Sequence, residues 1–247
     1  KKAIVVLEEL VALQSDNHIF QDNLVTAYDN HATIIDRLKQ DYAETLKYYQ
    51  KILSIRQELT TAEPDNLQFR RGLGACYFNL ADVLEKLGEN NAGLENAQKS
   101  LEIFSKMLAE DPKNEEFKQI FAAVDTQVSL LLVKTGKADE AIKRLKPSLE
   151  ILEKLLKASP NDEIVHFRIA ITHEVLGRGY SALATDKRNN QSLENWKTAR
   201  EHFQKSYQIY KGFRDKGKTV GTDASVVDEV ANEIAKCDDA ISKIQKK

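Results

Sequence analysis

Proline and cysteine are scarce, and their scarcity excludes several kinds of protein. Only four prolines occur in 247 residues. Three of them fall in short polar segments, so little interrupts helices elsewhere. Two cysteines, Cys76 and Cys237, are too few for a disulfide-stapled scaffold. Both lie on apolar helix faces and read as buried small side chains, which leaves the redox compartment open. The longest aliphatic runs, 4–7 and 130–133, are far too short to cross a bilayer. Charge of one sign is also missing: 36 Lys and Arg against 38 Asp and Glu give a net charge of −2. With no basic stripe to neutralise phosphates, nucleic acid is not an expected partner.

Chemical motifs are equally sparse. The five histidines are His18, His31, His166, His173 and His202. His166 and His173 could share a helix face, but neither an HExxH nor a Cys/His spacing surrounds them. Asp139-Glu140 and Asp238-Asp239 read as charges at helix ends or on exposed faces, the first favoured by the helix dipole. Gly72-x-Gly74 and Gly177-x-Gly179 fall inside helical segments without the preceding strand that a phosphate loop requires. No Ser-His-Asp spacing and no kinase motif is present. The reading contains no catalytic residue, no cofactor and no metal.

What the chain does have is a period. Ile55, Ile103 and Ile151 are 48 apart, and Ile209 follows after 58, which marks an insertion of ten. Pro64, Pro112 and Pro160 are also 48 apart, each in a polar turn. Ser15-Asp16-Asn17 is the same turn without proline. Between turns, apolar residues recur three and four apart, as on one side of a helix. In the copy around 78–104, Leu80, Ala81 and Leu84 face Ala97, Leu101 and Phe104. Ala81 and Ser100 are small where two helices cross, and Gly88 suits a left-handed C-cap. Such a hairpin cannot bury its own apolar face, so a fixed period of this size implies stacked hairpins.

The expected organisation is one all-α solenoid over 1–247. Residues 1–13 form the second helix of a truncated hairpin, with Ala3, Val6, Leu7, Leu10 and Val11 on one face. Hairpins follow at 17–60, 66–109, 114–158 and 162–214, with Pro147 expected to kink the second helix of the third. Residues 185–191 read as an exposed loop and 212–221 as a linker. Segment 225–244 reads as a capping helix started by a Ser225/Asp228 capping box, with Val227, Val230, Ile234, Cys237, Ile241 and Ile244 in one stripe. The chain begins Lys1-Lys2 without methionine and reads as part of a longer protein. It is expected in the cytoplasm, or outside it if a membrane span lies upstream.

Tyr77-Phe78-Asn79-Leu80-Ala81, with Leu84, Gly88, Gly93, Ala97 and Ser100, resembles the tetratricopeptide (TPR) repeat. Tyr77 stands for its tryptophan, and Gly93 and Ser100 for its alanines. Gly136-Lys137-Ala138-Asp139-Glu140-Ala141 resembles its turn. Tyr28, Ala32 and Ile35 keep the first-helix pattern, while Asp125 and His173 replace the leading aromatic. The family repeat is about 34 residues, so a period of 48 implies longer helices. The resemblance implies a right-handed superhelix whose first helices line a concave groove. A narrower likeness, over Trp196–Ser206 and Glu233–Asp238, is to TPR regions behind bacterial eukaryotic-type Ser/Thr kinase domains, a signalling context.

Carried over, the groove residues are Asp29, Asn30, Thr33, Asp36 and Arg37, then Phe78, Asn79, Asp82, Glu85 and Lys86. Thr126, Leu130, Val133 and Lys134 follow, then Glu174, Arg178 and Ser181. Asn30 and Asn79 match the family's groove asparagine, but the basic residues that clamp a terminal carboxylate do not flank them. The carboxylates among these residues imply a basic or amphipathic protein or peptide partner. Alternatives are a small-molecule sensor or enzyme with a pocket between hairpins, or self-association through the N-terminal helix. The bland reading is a set of merely solvated faces.

Overall fold

The structure is a computed structural model, and it describes residues 2–186, 191–218 and 225–246. The core of the 185–191 insertion and residues 219–221 of the expected linker therefore lie outside the described residues, while 212–215 are helical and not linker. Ten α-helices occur among the described residues: α1 (Lys2–Leu13), α2 (His18–Ile34), α3 (Tyr42–Ala62), α4 (Leu67–Lys86), α5 (Asn90–Glu110), α6 (Glu115–Lys134), α7 (Ala138–Ala158), α8 (Glu163–Thr185), α9 (Ser192–Asp215) and α10 (Val226–Gln245). Between the single helices α1 and α10 the rest follow one another as helical hairpins built of helices of 17–24 residues. The chain divides into two compact units, Lys1–Met107 and Leu108–Lys247.

The turn chemistry explains where the first helices begin. Asn17, Asn66, Asn114 and Asp162 are their N-caps, and each side chain accepts from backbone N–H groups of the first turn. Each cap residue also donates its own N–H three residues back, to Gln14, Glu63, Asp111 or Ser159. First helices end at matching positions as well. Gly88 and Gly136 adopt φ of 80° and 81°. The next residues, Glu89 and Lys137, donate back to Leu84 and Leu132, a Schellman closure.

Hairpin one departs from this pattern for a countable reason. Twelve residues separate Tyr28 from its left-handed cap, Gln40 (φ 52°), whereas eleven separate Tyr77 from Gly88 and Asp125 from Gly136. The extra residue is absorbed by a π-helical turn over Ile35–Lys39, the usual helical accommodation of a one-residue insertion.

In the first unit the core runs from Ile4 through Leu24, Tyr28, Ala32 and Ile52 to Tyr77, Leu80 and Val83. Leu7 and Val11 of α1 pack against it, but Val6, expected on the same face, is 54% exposed. The α4–α5 seam is tight at Gly74. Ser100 donates to the Gly74 carbonyl at 2.8 Å, and a Cβ on Gly74 would lie 2.8 Å from the Phe104 ring. Ala81 is fully buried on the same helix. Ser100 thus meets Gly74, not the neighbourhood of Ala81, seven residues further on.

In the second unit, Ala122, Leu152, Val165 and Ile169 form one cluster, and Ile142, Leu145, Val175 and Leu176 another. Here α8 and α9 meet at Gly177, where a Cβ would lie 2.7 Å from Phe203. Helix α7 runs unbroken through Pro147. Pro147 and Lys143 are both exposed, so the carbonyl released by the proline faces water. Helix α10 buries Val227, Val230 and Cys237 against Phe203 and Tyr210 of α9. Arg200–Asp238 and Arg214–Asp228 ion pairs flank this contact. The capping box is not formed: Ser225 Oγ donates to the Glu229 carboxylate and makes no side-chain cap.

Two stability outcomes follow. Ala81→Leu should overpack α4 and cost about 1–3 kcal/mol, seen as a lower urea midpoint; an unchanged midpoint would place spare volume there. Truncation after Gly217 should expose Phe203 and Tyr210 and cause aggregation or earlier melting. A monomeric truncation with the full melting temperature would remove α10 from the fold.

Candidate functional site

Equivalent residues along the repeat separate structural polar groups from candidate functional ones. Tyr28, Tyr77, Asp125 and His173 stand 49, 48 and 48 apart, and each binds a neighbouring helix. The Tyr28 hydroxyl donates to Glu8 at 2.5 Å, and Lys51 Nζ lies 5.0 Å from its ring centroid. Burial, then the Glu8 bond, pushes the Tyr28 phenol upward, while the same hydrogen bond and that of Lys51 hold Glu8 low. Tyr77 accepts from Gln57 at 3.1 Å. Asp125 is buried and accepts from Arg144 and Ser148, both at 2.6 Å. His173 Nδ1 meets His202 Nδ1 at 3.0 Å. The two departures from an aromatic are therefore polar pairs across a hairpin seam.

In the first unit the carried-over residues of α2 and α4 come together. Lys86 Nζ donates to both Asp36 oxygens at 2.9 and 3.0 Å, and pairs with Asp82 at 3.0 Å. It also lies 5.4 Å from the Tyr42 ring centroid. Asp36 sits in the π-helical turn, so that irregular segment meets α4 through this lysine. Burial alone would lower the Lys86 amine, yet the bonds to Asp36 and Asp82 carry it upward. Burial raises the Asp82 carboxyl against the pull of Lys86.

Asp29, half-buried, is likewise raised by burial, opposed by a hydrogen bond from Tyr49 and by Arg56. Tyr49 also interacts with Thr33. Asn30 and Arg37 are exposed, and Phe78, Asn79 and Glu85 are half-buried. Among the carried-over residues, four carboxylates thus share this surface with two cations, one of them already held by Asp36 and Asp82, and Arg56 acts on Asp29 as well.

The second unit uses the equivalent positions differently. Thr126 is buried, donates to the Ala122 carbonyl and bonds the Thr172 hydroxyl at 3.1 Å. It is not a solvent-side residue, because its hydroxyl closes the contact between α6 and α8. Leu130 packs against the Ile142, Leu145, Val175 and Leu176 cluster, and Val133 lies near Gly179. Lys134 is exposed. Glu174 accepts from Arg178 at 2.8 Å and from Tyr210 at 3.3 Å. Arg178 also feels Glu233 and Glu229 of α10, and Ser181 is half-buried. The row on α8 therefore faces the C-terminal helix.

Sequence reasoning missed Tyr42, beside Lys86, and the buried Tyr49 beneath Asp29. Their signal was available in the repeat: Tyr49 aligns with Ala97, Leu145 and Phe203, so it alone brings a hydroxyl to that position.

Both cysteines are free and buried. Burial pushes Cys76 up to about 12, and Cys237 upward as well. No group of three or more metal-ligating side chains exists among the described residues. No described helix is long and apolar enough to cross a membrane. A cleft of about 560 Å³ lies between the start of α8 and the end of α9, lined by His166, Ile209, Phe213 and Lys216 among others. His166 Nε2 there is 2.9 Å from the Pro160 carbonyl.

The fold defined by these capped, periodic hairpins is the TPR-like helical repeat. No protein-family model and no curated protein matches the chain. Among solved structures it is similar to BtubC (BKLC) from P. vanneervenii, at 16% identity and a TM-score of 0.57, over 99% of this chain and 86% of that one. It is also similar to the nearly identical TPR-like repeats of a Podosopora anserina protein described as a putative kinesin light chain. That match has 16% identity and a TM-score of 0.48, over 84% of this chain and 85% of that one. A third is TTC0263, a thermophilic TPR protein in Thermus thermophilus, at 15% identity and a TM-score of 0.35, covering 78% and 94%. At these identities the likeness shows the fold alone.

The Asp125 seam gives a direct test. Arg144→Met leaves a buried carboxylate with Ser148 and should cost on the order of 2–3 kcal/mol. Chemical denaturation measures it, and a neutral substitution would show that Asp125 does not depend on Arg144.

Proposed function

We propose that this chain is a non-catalytic scaffold whose first unit docks a basic or amphipathic segment of another protein on the joined faces of α2 and α4. The observation that carries the reading is the Asp36–Lys86–Asp82 cluster. It ties α4 to the turn that follows α2 on one surface, where Asp29, Asp36, Asp82 and Glu85 outnumber Arg37 and Lys86. A ligand's positive charges would meet this excess of carboxylate, while Phe78, Thr33 and Asn79 supply apolar and amide contact. Rim carboxylates of this kind govern on-rate and partner choice more than total affinity, so binding weakens as salt screens them. TPR-like repeats commonly serve as interaction scaffolds, which agrees with this reading.

A synthetic amphipathic helix of leucine and lysine is the probe, with its leucine–glutamate counterpart as control. The lysine peptide should bind, and Asp82→Lys with Glu85→Lys should weaken it by about tenfold or more. Equal binding of both peptides, or indifference to the charge reversal in a variant of unchanged helicity, would reject this surface.

A second reading has one observation behind it. Val5 and Val6 of α1 are 53% and 54% exposed, a surface suited to weak self-association. Sedimentation would then show a concentration-dependent dimer that Val6→Glu abolishes; a monomer at all concentrations would end that reading.

A further inference from the structure

We propose that the His173–His202 pair is an acid-sensitive latch that holds α9, and through it α10, against α8. The two Nδ1 atoms are 3.0 Å apart, so one carries the proton and the other accepts it. Protonating both rings would set N–H against N–H and place two like charges within hydrogen-bond distance. Relief by solvent is limited, since His173 is 5% exposed and Tyr180 stacks on His202 at 5.6 Å and 8°.

The charges on the surrounding elements reinforce this. Lys205 of α9 acts on both rings and opposes a second positive charge. Glu174 of α8 is engaged by Arg178 and Tyr210, and Glu229 and Glu233 of α10 act on Arg178. Burial first, then neighbouring positive charge, holds each ring at about 4 against an ordinary 6.5. Because the folded values lie below the unfolded one, stability is complete above pH 6.5 and is lost as pH falls toward 4. At about pH 5 the folding equilibrium should fall by about thirtyfold for each ring relative to high pH.

The repeat makes this sensitivity local. At the same two positions the other hairpins carry Tyr28 and Tyr48, Tyr77 and Asn96, and Asp125 and Arg144. None of those pairs consists of two bases with ordinary values near neutrality. His202 immediately precedes Phe203, the ring seated against Gly177. Phe203 in turn packs in one cluster with Val227, Val230 and Cys237 of α10. A shift at His202 therefore disturbs the surface that α10 covers, and releasing α10 uncovers Glu174 and Arg178.

Trp196, the sole tryptophan, packs against that same cluster and reports on it. In the full chain its fluorescence should change in a step between pH 6.5 and 4. His173→Tyr with His202→Asn, the pair hairpin two carries, should abolish the step and leave only general acid unfolding at lower pH. His202→Gln, a neutral single substitution, should do the same should the double variant not fold. Independently, nitrogen NMR of the wild-type rings should show one protonated Nδ1 bonded to its partner and titration well below 6.5. Either an unchanged step in a folded variant, or two rings titrating separately near their ordinary value, would overturn the latch.

Discussion

Close approach of two helices within each hairpin is the constraint on which the rest depends. Where a first helix crosses its partner there is no room for a Cβ at Gly74 or Gly177, because the Phe104 and Phe203 rings already fill the space. That proximity lets Ser100 reach a backbone carbonyl and brings Arg144 and Ser148 to Asp125. Side chains at the crossing must be small, and those one turn away must pair with whatever lies opposite. The four leading positions show how freely pairing with a neighbouring helix can vary: phenol with carboxylate on α1, phenol with amide on α3 and, across the hairpin seam, carboxylate with guanidinium and imidazole with imidazole.

This division of labour also decides which polar residues remain for a partner. In the second unit most of the row is absorbed by folding, as Thr126 closes onto Thr172 and Arg178 turns to the acidic side of α10. In the first unit the row remains on the surface. Lys86, held between Asp36 and Asp82, joins adjacent helices there without covering them. The negative balance is thus a property of this one surface and not of the whole chain, whose net charge is only −2.

Much of the fold was legible because its signals are local. Asparagine or aspartate caps follow the proline turns, and glycines stand where first helices stop; both need only a few residues of context. The π-helical turn was hidden in a single-residue difference between copies, which periodicity alone treats as noise. Partners across a seam were harder still. Asp125 and His173 stood out as departures from an aromatic, but Arg144 lies 19 residues on and His202 lies 29 on, beyond the ten-residue insertion. The candidate surface was legible as a set of positions, yet exposure was not. Whether a threonine such as Thr126 faces water or a neighbouring helix depends on packing that its own helix does not encode.

The claim at the centre of this account is that the joined face of α2 and α4 receives the partner. Chemical-shift mapping of the full chain with the leucine–lysine helix tests it most directly. The account predicts perturbations concentrated at Asn30, Thr33, Asp36, Phe78, Asn79 and Asp82, fading as salt is raised. Perturbations confined to α1 or to the cleft beside His166, with α2 and α4 unmoved, would contradict it.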